Sequence, residues 1–253
     1  MTTYKQQFKF KSNDFINKVY LITGANRGLG RSLAIDLSKA GATVVMLGRD
    51  LASLENVYDE ITDLGYSEPF LYPFDLEGAG PKDYEDLLTN IESEFGQLDG
   101  LIHNAATIGS LMPIEQYDLK VWFSTMQINL NAPFLLTQFL LPVLKKSPAA
   151  QIIFLSSYVG RFPKAYWGAY SVTKSGIESL SSILAEELEK TEIKVNSIDP
   201  MRMKTKMRQI AYPAENADKN PDPSDVSKVI LFVLSSEACH DSGDQLTIDV
   251  LSD

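Results

Sequence analysis

Cysteine is almost absent from the 253 residues. The single Cys239 has no partner for an intrachain disulfide, and a reducing, cytoplasmic setting is expected. Histidine is nearly as scarce. His103 and His240, with no cysteine pair to join them, make a metal site improbable. Basic charge is outnumbered, with 23 Lys and Arg against 33 Asp and Glu and a net charge of −10. Such a surface repels DNA, RNA and anionic lipid heads, so neither a nucleic acid nor a membrane is expected as a partner. Residues 1–18 carry several lysines and isolated aromatics but no continuous apolar run, and do not read as a secretory signal. One uncharged stretch, 121–144, is long enough to raise the question of a membrane span. It is interrupted by Asn129, Asn131, Pro133, Thr137, Gln138 and Pro142, and reads as a buried core helix.

What is present is an alternation. Short apolar, β-branched runs at 19–22, 43–47, 70–72, 101–103, 151–155, 194–198 and 246–248 read as strands. Helical patterns lie between them at 28–40, 51–64, 82–95, 117–144, 169–188 and 224–234. Strand–helix alternation implies parallel strands, right-handed crossovers and helices on both faces. Strands apolar throughout fit a sheet covered on both sides. The predicted architecture is a doubly wound, three-layer α/β domain over 18–253, preceded by an extension over 1–17. Residues 201–223 break the pattern with four basic side chains before Ile210, then Pro213, Pro221 and Pro223. An irregular insert of this length reads as a lid or binding loop.

The first strand runs into Thr23-Gly24-Ala25-Asn26-Arg27-Gly28-Leu29-Gly30, and a helix follows. Glycines at such a junction let the backbone approach a pyrophosphate, and the helix N-terminus offers free N–H groups and a positive dipole end. About twenty residues on, where an acid would select NAD and an arginine NADP, the chain reads Gly48-Arg49-Asp50. Asp50 reads as the N-cap of the helix beginning at Leu51. Further on, Tyr170 and Lys174 are spaced i, i+4 and share one helix face. A tyrosine acting as a base near neutrality needs roughly 4 kcal/mol of help. A lysine charge about 5 Å away supplies roughly 3 kcal/mol at an effective dielectric of 20.

Thr23-Gly24-x-x-x-Gly28-x-Gly30 followed by Tyr170-x-x-x-Lys174 resembles the short-chain dehydrogenase/reductase family, over nearly the whole chain after residue 17. Trp167 before Gly168, and the run from Leu98 to Ala105, resemble a bacterial subgroup, the YciK-like oxidoreductases. The resemblance implies a Rossmann-type sheet of seven parallel strands and an NADP(H)-dependent oxidoreductase that reduces a small-molecule carbonyl or oxidises the matching alcohol. It implies a catalytic set of Asn129, Ser157, Tyr170 and Lys174. Ser157 would bond the substrate carbonyl, Tyr170 would transfer the proton, and Asn129 would hold a water beside Lys174. It further implies that Gly24, Asn26, Arg27, Gly28, Leu29, Gly30, Arg49, Asp75, Leu76, Asn104, Ala105, Tyr170, Lys174, Pro200 and Thr205 line the cofactor, with Arg27 and Arg49 favouring NADP. A homodimer or homotetramer through the helices at 117–144 and 169–188 is also implied.

Two features depart from the family pattern. His103-Asn104-Ala105-Ala106 replaces Asn-Asn-Ala-Gly, and His103 reads as a packing residue at a strand end. Asp199-Pro200-Met201 replaces Pro-Gly, where methionine does not take positive φ as freely as glycine. Ser156 adjoins Ser157 and is expected to make backbone hydrogen bonds only. The substrate pocket is expected between Ser157, Tyr170, residues 109–113, Tyr166, Trp167 and the 201–223 insert, and to be moderately apolar. The competing reading is a non-catalytic NADP(H)-binding regulator.

Overall fold

The structure is a computed structural model that describes residues 2–5 and 12–250. The seven apolar runs pair as parallel strands: β2 (Val19–Thr23), β3 (Thr43–Gly48), β4 (Phe70–Pro73), β5 (Gly100–His103), β6 (Gln151–Leu155), β7 (Lys194–Asp199) and β8 (Gln245–Asp249). An eighth, β1 (Thr2–Lys5), pairs in parallel with β8, giving the order β1-β8-β7-β6-β5-β2-β3-β4. The expected count of seven is therefore corrected to eight. Part of the expected extension over 1–17 belongs to the sheet, while Met1 and residues 6–11 lie outside the described residues, as do 251–253 at the other end. Local pattern does not reveal β1 because its strand identity comes from its partner. Tyr4 is buried and meets the ring of Phe232 at 5.7 Å between centroids, and the strand pairs with β8.

Alternate residues of each strand feed opposite cores, as the pleat requires. Tyr20, Ile22, Val44 and Met46 pack with helices α1 (Gly28–Lys39), α2 (Leu51–Asp63) and α9 (Pro223–Leu234). Leu21, Val45 and Leu47 pack with α3 (Pro81–Phe95), α5 (Ala132–Leu144) and α7 (Gly168–Glu187). Each of these fully buried aliphatic side chains contributes about 1.5–3 kcal/mol of transfer free energy. The result is a doubly wound, three-layer sheet.

The sheet order reverses between β2 and β5. In such sheets the ligand crevice opens at this point, outside the carboxyl ends of the strands. The pattern at 117–144 resolves into α4 (Leu119–Met126), a π-helical turn over Gln127–Asn131, and α5. Among the described residues, no helix is long and apolar enough to cross a membrane. The insert over 201–223 contains the short helix α8 (Lys206–Ala211) and one 3-10 turn. The last helix to be placed is α6 (Tyr158–Arg161), directly after β6.

Candidate active site

The glycine turn is braced from beneath. The Thr23 hydroxyl accepts the backbone N–H groups of Asn104 and Ala105, both at 2.9 Å, and the Asn104 side chain donates to the carbonyls of Thr23 at 2.8 Å and Gly24 at 3.2 Å. Asn104 therefore ties β5 to the turn after β2. A Cβ at Gly30 would lie 2.3 Å from the Gly24 carbonyl oxygen, so glycine there allows α1 to sit against the strand end. Gly28 is different. Its φ is +54°, and the one heavy atom near a built Cβ is the Thr205 methyl at 3.6 Å. The backbone is open toward the crevice, and the first turn of α1 has no acidic side chain. Free N–H groups, a positive dipole end and Arg27 at the N-cap fit an anionic group. Leu29 is buried behind the turn and Asn26 half-buried at its rim.

Around the next strand ends, Gly48 packs on Leu54 while Arg49 is exposed, 3.9 Å from the Glu77 carboxylate. Asp50 stands at the N-cap position of α2, as expected, and its carboxylate accepts from the Ser53 hydroxyl. Asp75 is exposed and turns the chain after β4, accepting the Glu77 N–H at 3.2 Å. Leu76 is buried, and its carbonyl takes a bond from Gln127. Across the crevice, Pro200 is half-buried, and the Thr205 hydroxyl caps α8 by accepting the Arg208 N–H at 3.2 Å.

Ser157, Tyr170 and Lys174 converge where β6 ends. Ser157 is extended at the N-cap of α6, and its hydroxyl is not used to cap that helix. Tyr170 and Lys174 are both buried, with the lysine Nζ 5.8 Å from the tyrosine ring centroid and donating to the Leu155 carbonyl at 2.6 Å. Gly160 lets α6 lie directly on the lysine, since a Cβ there would stand 2.7 Å from Lys174 Cβ. Burial pushes the Tyr170 phenol up to about 12, against a downward pull from its hydrogen bond with Ser157. Burial likewise pulls Lys174 down to about 8, partly offset by Glu178 and Asp199. Desolvation thus sets the direction of the phenol's shift, opposite to the lowering that a nearby lysine charge alone would give. Near neutrality Tyr170 holds its proton and is a donor.

Asn129 sits in the π-helical turn, fully buried. Its Oδ1 accepts the Thr107 N–H at 2.8 Å, and its Nδ2 donates to the Thr107 carbonyl at 2.8 Å and to Thr173 Oγ1 at 3.2 Å. The amide fixes the loop after β5 to α7. Single π-turns are frequent at functional sites, and this one turns Asn129 inward. His103 stacks on Phe154 at 4.6 Å and meets Thr137 Oγ1 at 2.9 Å. Burial draws its pKa down to about 3, with Lys174 adding to the shift, so it stays neutral and packs as expected. The Ser156 N–H donates to the Ile198 carbonyl at 2.7 Å, but its buried hydroxyl, expected to bond backbone, has no partner among the described residues.

Sequence reading missed the buried charges behind this centre. Arg161, at the end of α6, donates to Glu178 at 2.7 Å, to Thr247 at 3.0 Å and to the Leu246 carbonyl at 2.9 Å. Glu178 also accepts from Ser197. Tyr170, Lys174 and Glu178 fall at i, i+4 and i+8 of α7, so an acid on the inward stripe was the available signal. Asp199, at the end of β7, is also buried. Desolvation raises its pKa, and the largest opposing effect is the bond it accepts from the Met201 N–H.

A cleft of about 440 Å³ opens beside Ser157. Trp167, Met201, Arg202, Arg208 and Tyr212 line it as the expected wall and insert. Residues 109–113, Tyr166 and Tyr170 do not line it; Leu111 packs against the cluster of Ile108, Val159 and Tyr170, and Tyr166 is exposed. The ends of β7 and β8 take their place, with Asp199 and Asp249 in the lining beside Ile248 and Val250, so the cleft is moderately apolar with an acidic flank. The rings of Tyr212, Trp167 and Tyr170 follow one another at 6.0 and 5.8 Å, linking the insert to the tyrosine.

The family model described as short chain dehydrogenase matches residues 18–216. Oxidoreductase YciK of Escherichia coli strain K12, itself uncharacterized, is 36% identical over 231 residues, 91% of each chain. A structure from Pseudomonas syringae, assigned to the short chain dehydrogenases, superposes with a TM-score of 0.91 at 42% identity, covering 95% of this chain and 99% of that one. A structure from Escherichia coli CFT073 solved with NADPH superposes with a TM-score of 0.90 at 35% identity, covering 96% and 100%. With a family model matched over most of the chain, and a relative of this identity at this coverage, the chain belongs to the short-chain dehydrogenase/reductase family of oxidoreductases.

Proposed function

We propose that this chain is an NADPH-dependent carbonyl reductase in which Tyr170 is the general acid. The observation that carries the reading is a buried tyrosine, kept protonated at neutral pH, hydrogen-bonded to Ser157 and beside the Lys174 ammonium. The cofactor, when bound, supplies a hydride to the carbonyl carbon. The carbonyl oxygen accepts a hydrogen bond from Ser157, which stabilises the charge that develops there. Tyr170 donates its proton to that oxygen. Lys174, held by the Leu155 carbonyl, supplies positive charge against the phenolate that remains. Asn129 keeps α7 and the loop after β5 in register through Thr107 and Thr173. The glycine turn receives the pyrophosphate, and Arg27 and Arg49 on the rim favour the 2′-phosphate of NADP, the form found in the E. coli CFT073 relative.

The test follows NADPH oxidation against ketones, aldehydes and quinones, with NADH alongside. NADPH-preferring turnover is expected. Tyr170→Phe is expected to nearly abolish turnover at unchanged NADPH affinity. Substantial residual turnover in that variant would overturn the role of Tyr170.

A further inference from the structure

The one-turn helix α6 begins directly after Ser157, and the Gly160 N–H ties it back to that residue by donating to the Ser157 carbonyl at 2.8 Å. A single helical turn does not hold itself together in water. Apolar packing adds little, since Tyr158 and Phe162 are exposed and only Val159 turns inward, against Ile108 and Tyr170. Hydrogen bonds hold the turn instead. The last carbonyls of a helix have no partner further along it. Those of Val159 and Gly160 accept the hydroxyls of Ser171 and Ser175, at 2.5 and 2.6 Å. The next residue, Arg161, donates to Glu178 at 2.7 Å. Three consecutive residues of α6 are thus each fastened to α7 by one side-chain bond. On α7 the fastening residues fall at i, i+4 and i+7, a single stripe alongside Tyr170 and Lys174.

We propose that Ser171 and Ser175, with the Arg161–Glu178 pair, are positioning residues for the reduction: they clamp α6 to the helix that carries Tyr170 and Lys174, and so set the place of the Ser157 hydroxyl against the Tyr170 phenol. The inference rests on the roles given to Ser157 and Tyr170 above. Strand β6 fixes Ser157 from one side, where the Ser156 N–H donates to the Ile198 carbonyl and Lys174 to that of Leu155. The clamp fixes it from the other. Gly160 brings the turn against Lys174 itself, since a Cβ at that position would meet the Lys174 backbone carbon at 2.8 Å. Ser157 is hydrogen-bonded to Tyr170 in this arrangement. A donor stabilises developing charge only if it is already in place when the charge appears. A displacement of about 1 Å can cost about 10²-fold in rate.

Arg161→Met strands a buried carboxylate and endangers the fold, so the test uses the serines, whose loss removes one hydrogen bond each. The kcat for NADPH-dependent reduction of the fastest compound in the carbonyl panel is measured in Ser171→Ala/Ser175→Ala, with and without Ser157→Ala. A fall of about tenfold or more is expected while Ser157 is present, and of less than about twofold once it is alanine, because residues that act through one group are not additive. The same fall in both backgrounds would make the serines structural only and overturn the proposal. A second arm needs no turnover. The Tyr170 phenol is followed by NMR in protein isotope-labelled at tyrosine Cζ, its resonance assigned by its loss in Tyr170→Phe. The serine pair is expected to move that resonance in the direction that Ser157→Ala does, and to add nothing in combination with it. A resonance that the serine pair leaves unmoved would overturn the clamp. Undiminished kcat in Ser157→Ala alone overturns the role given to Ser157 and not the clamp, which the resonance then decides.

Discussion

The Asp199 carboxylate accepts the Met201 N–H at 3.0 Å and holds that methionine at a φ of 57°. The relatives' pattern has glycine at this position because a left-handed residue with a Cβ costs roughly 1–2 kcal/mol. Here the aspartate two residues earlier forms a local turn that supports the strained backbone. The expected conflict between methionine and positive φ is thus resolved by a side chain, not by a different course of the chain.

Relieving that strain is measurable. Met201→Gly is expected to stabilise the fold by about 0.5–1 kcal/mol, strain relief outweighing the entropy of the glycine. Met201→Val, β-branched at positive φ, is expected to destabilise by about 1–2 kcal/mol. Urea midpoints at constant m-value read both changes. A stabilising Met201→Val would contradict the strained assignment.

The Arg161–Glu178 pair is a different kind of element. Both side chains are buried, at 4% and 8% exposure, so breaking the pair strands a charge. Arg161→Met is expected to cost about 3–5 kcal/mol, and the double variant Arg161→Met/Glu178→Leu to recover most of that. Equal destabilisation in the single and double variants would show that packing, not the stranded carboxylate, sets the cost.

His103 contributes a pH dependence whose sign follows from its depressed pKa. The unfolded chain takes up this proton near pH 6.5, and the folded chain only at about 3. Stability contributed by neutral His103 is therefore present above pH 6.5 and lost as pH falls toward 3, at up to about 1.4 kcal/mol per pH unit. His103→Gln removes the titration. Its stability curve between pH 6.5 and 4 should be shallower than wild type by the slope of one proton. Parallel curves would exclude a neutral buried imidazole.

Arg49 tests the cofactor preference. Its contact with Glu77 is a surface pair at 3.9 Å with the arginine largely exposed, so Glu77→Gln should leave stability unchanged within about 0.5 kcal/mol. Arg49→Ala is expected to lower the NADPH-over-NADH ratio of kcat/KM about tenfold, as loss of one charge-assisted hydrogen bond implies. An unchanged ratio would remove Arg49 from that role.

Much of the site was legible before any coordinates. The glycine turn after β2 was visible because it needs left-handed backbone at Gly24 and Gly28 and close packing at Gly30, and these demands fall on residue type. Tyr170 and Lys174 were visible because helical spacing puts i and i+4 on one face. Strand β1 was not, because four residues with one inward aromatic carry no period of their own. The bracing bonds of Asn129 were not legible because they go to Thr107 and Thr173, 22 and 44 residues away. Nothing local specifies such partners.

Sequence by itself determined the doubly wound order of elements and the glycine turn, since these follow from periodicity and from the steric needs of single residues, while the proposed reacting side chains came from the family resemblance. Tertiary structure alone decided the direction in which the Tyr170 and Lys174 pKa values move and the buried Arg161–Glu178 pair. Those depend on what surrounds a group once water is excluded, and desolvation is a property of the packed whole rather than of any stretch of chain.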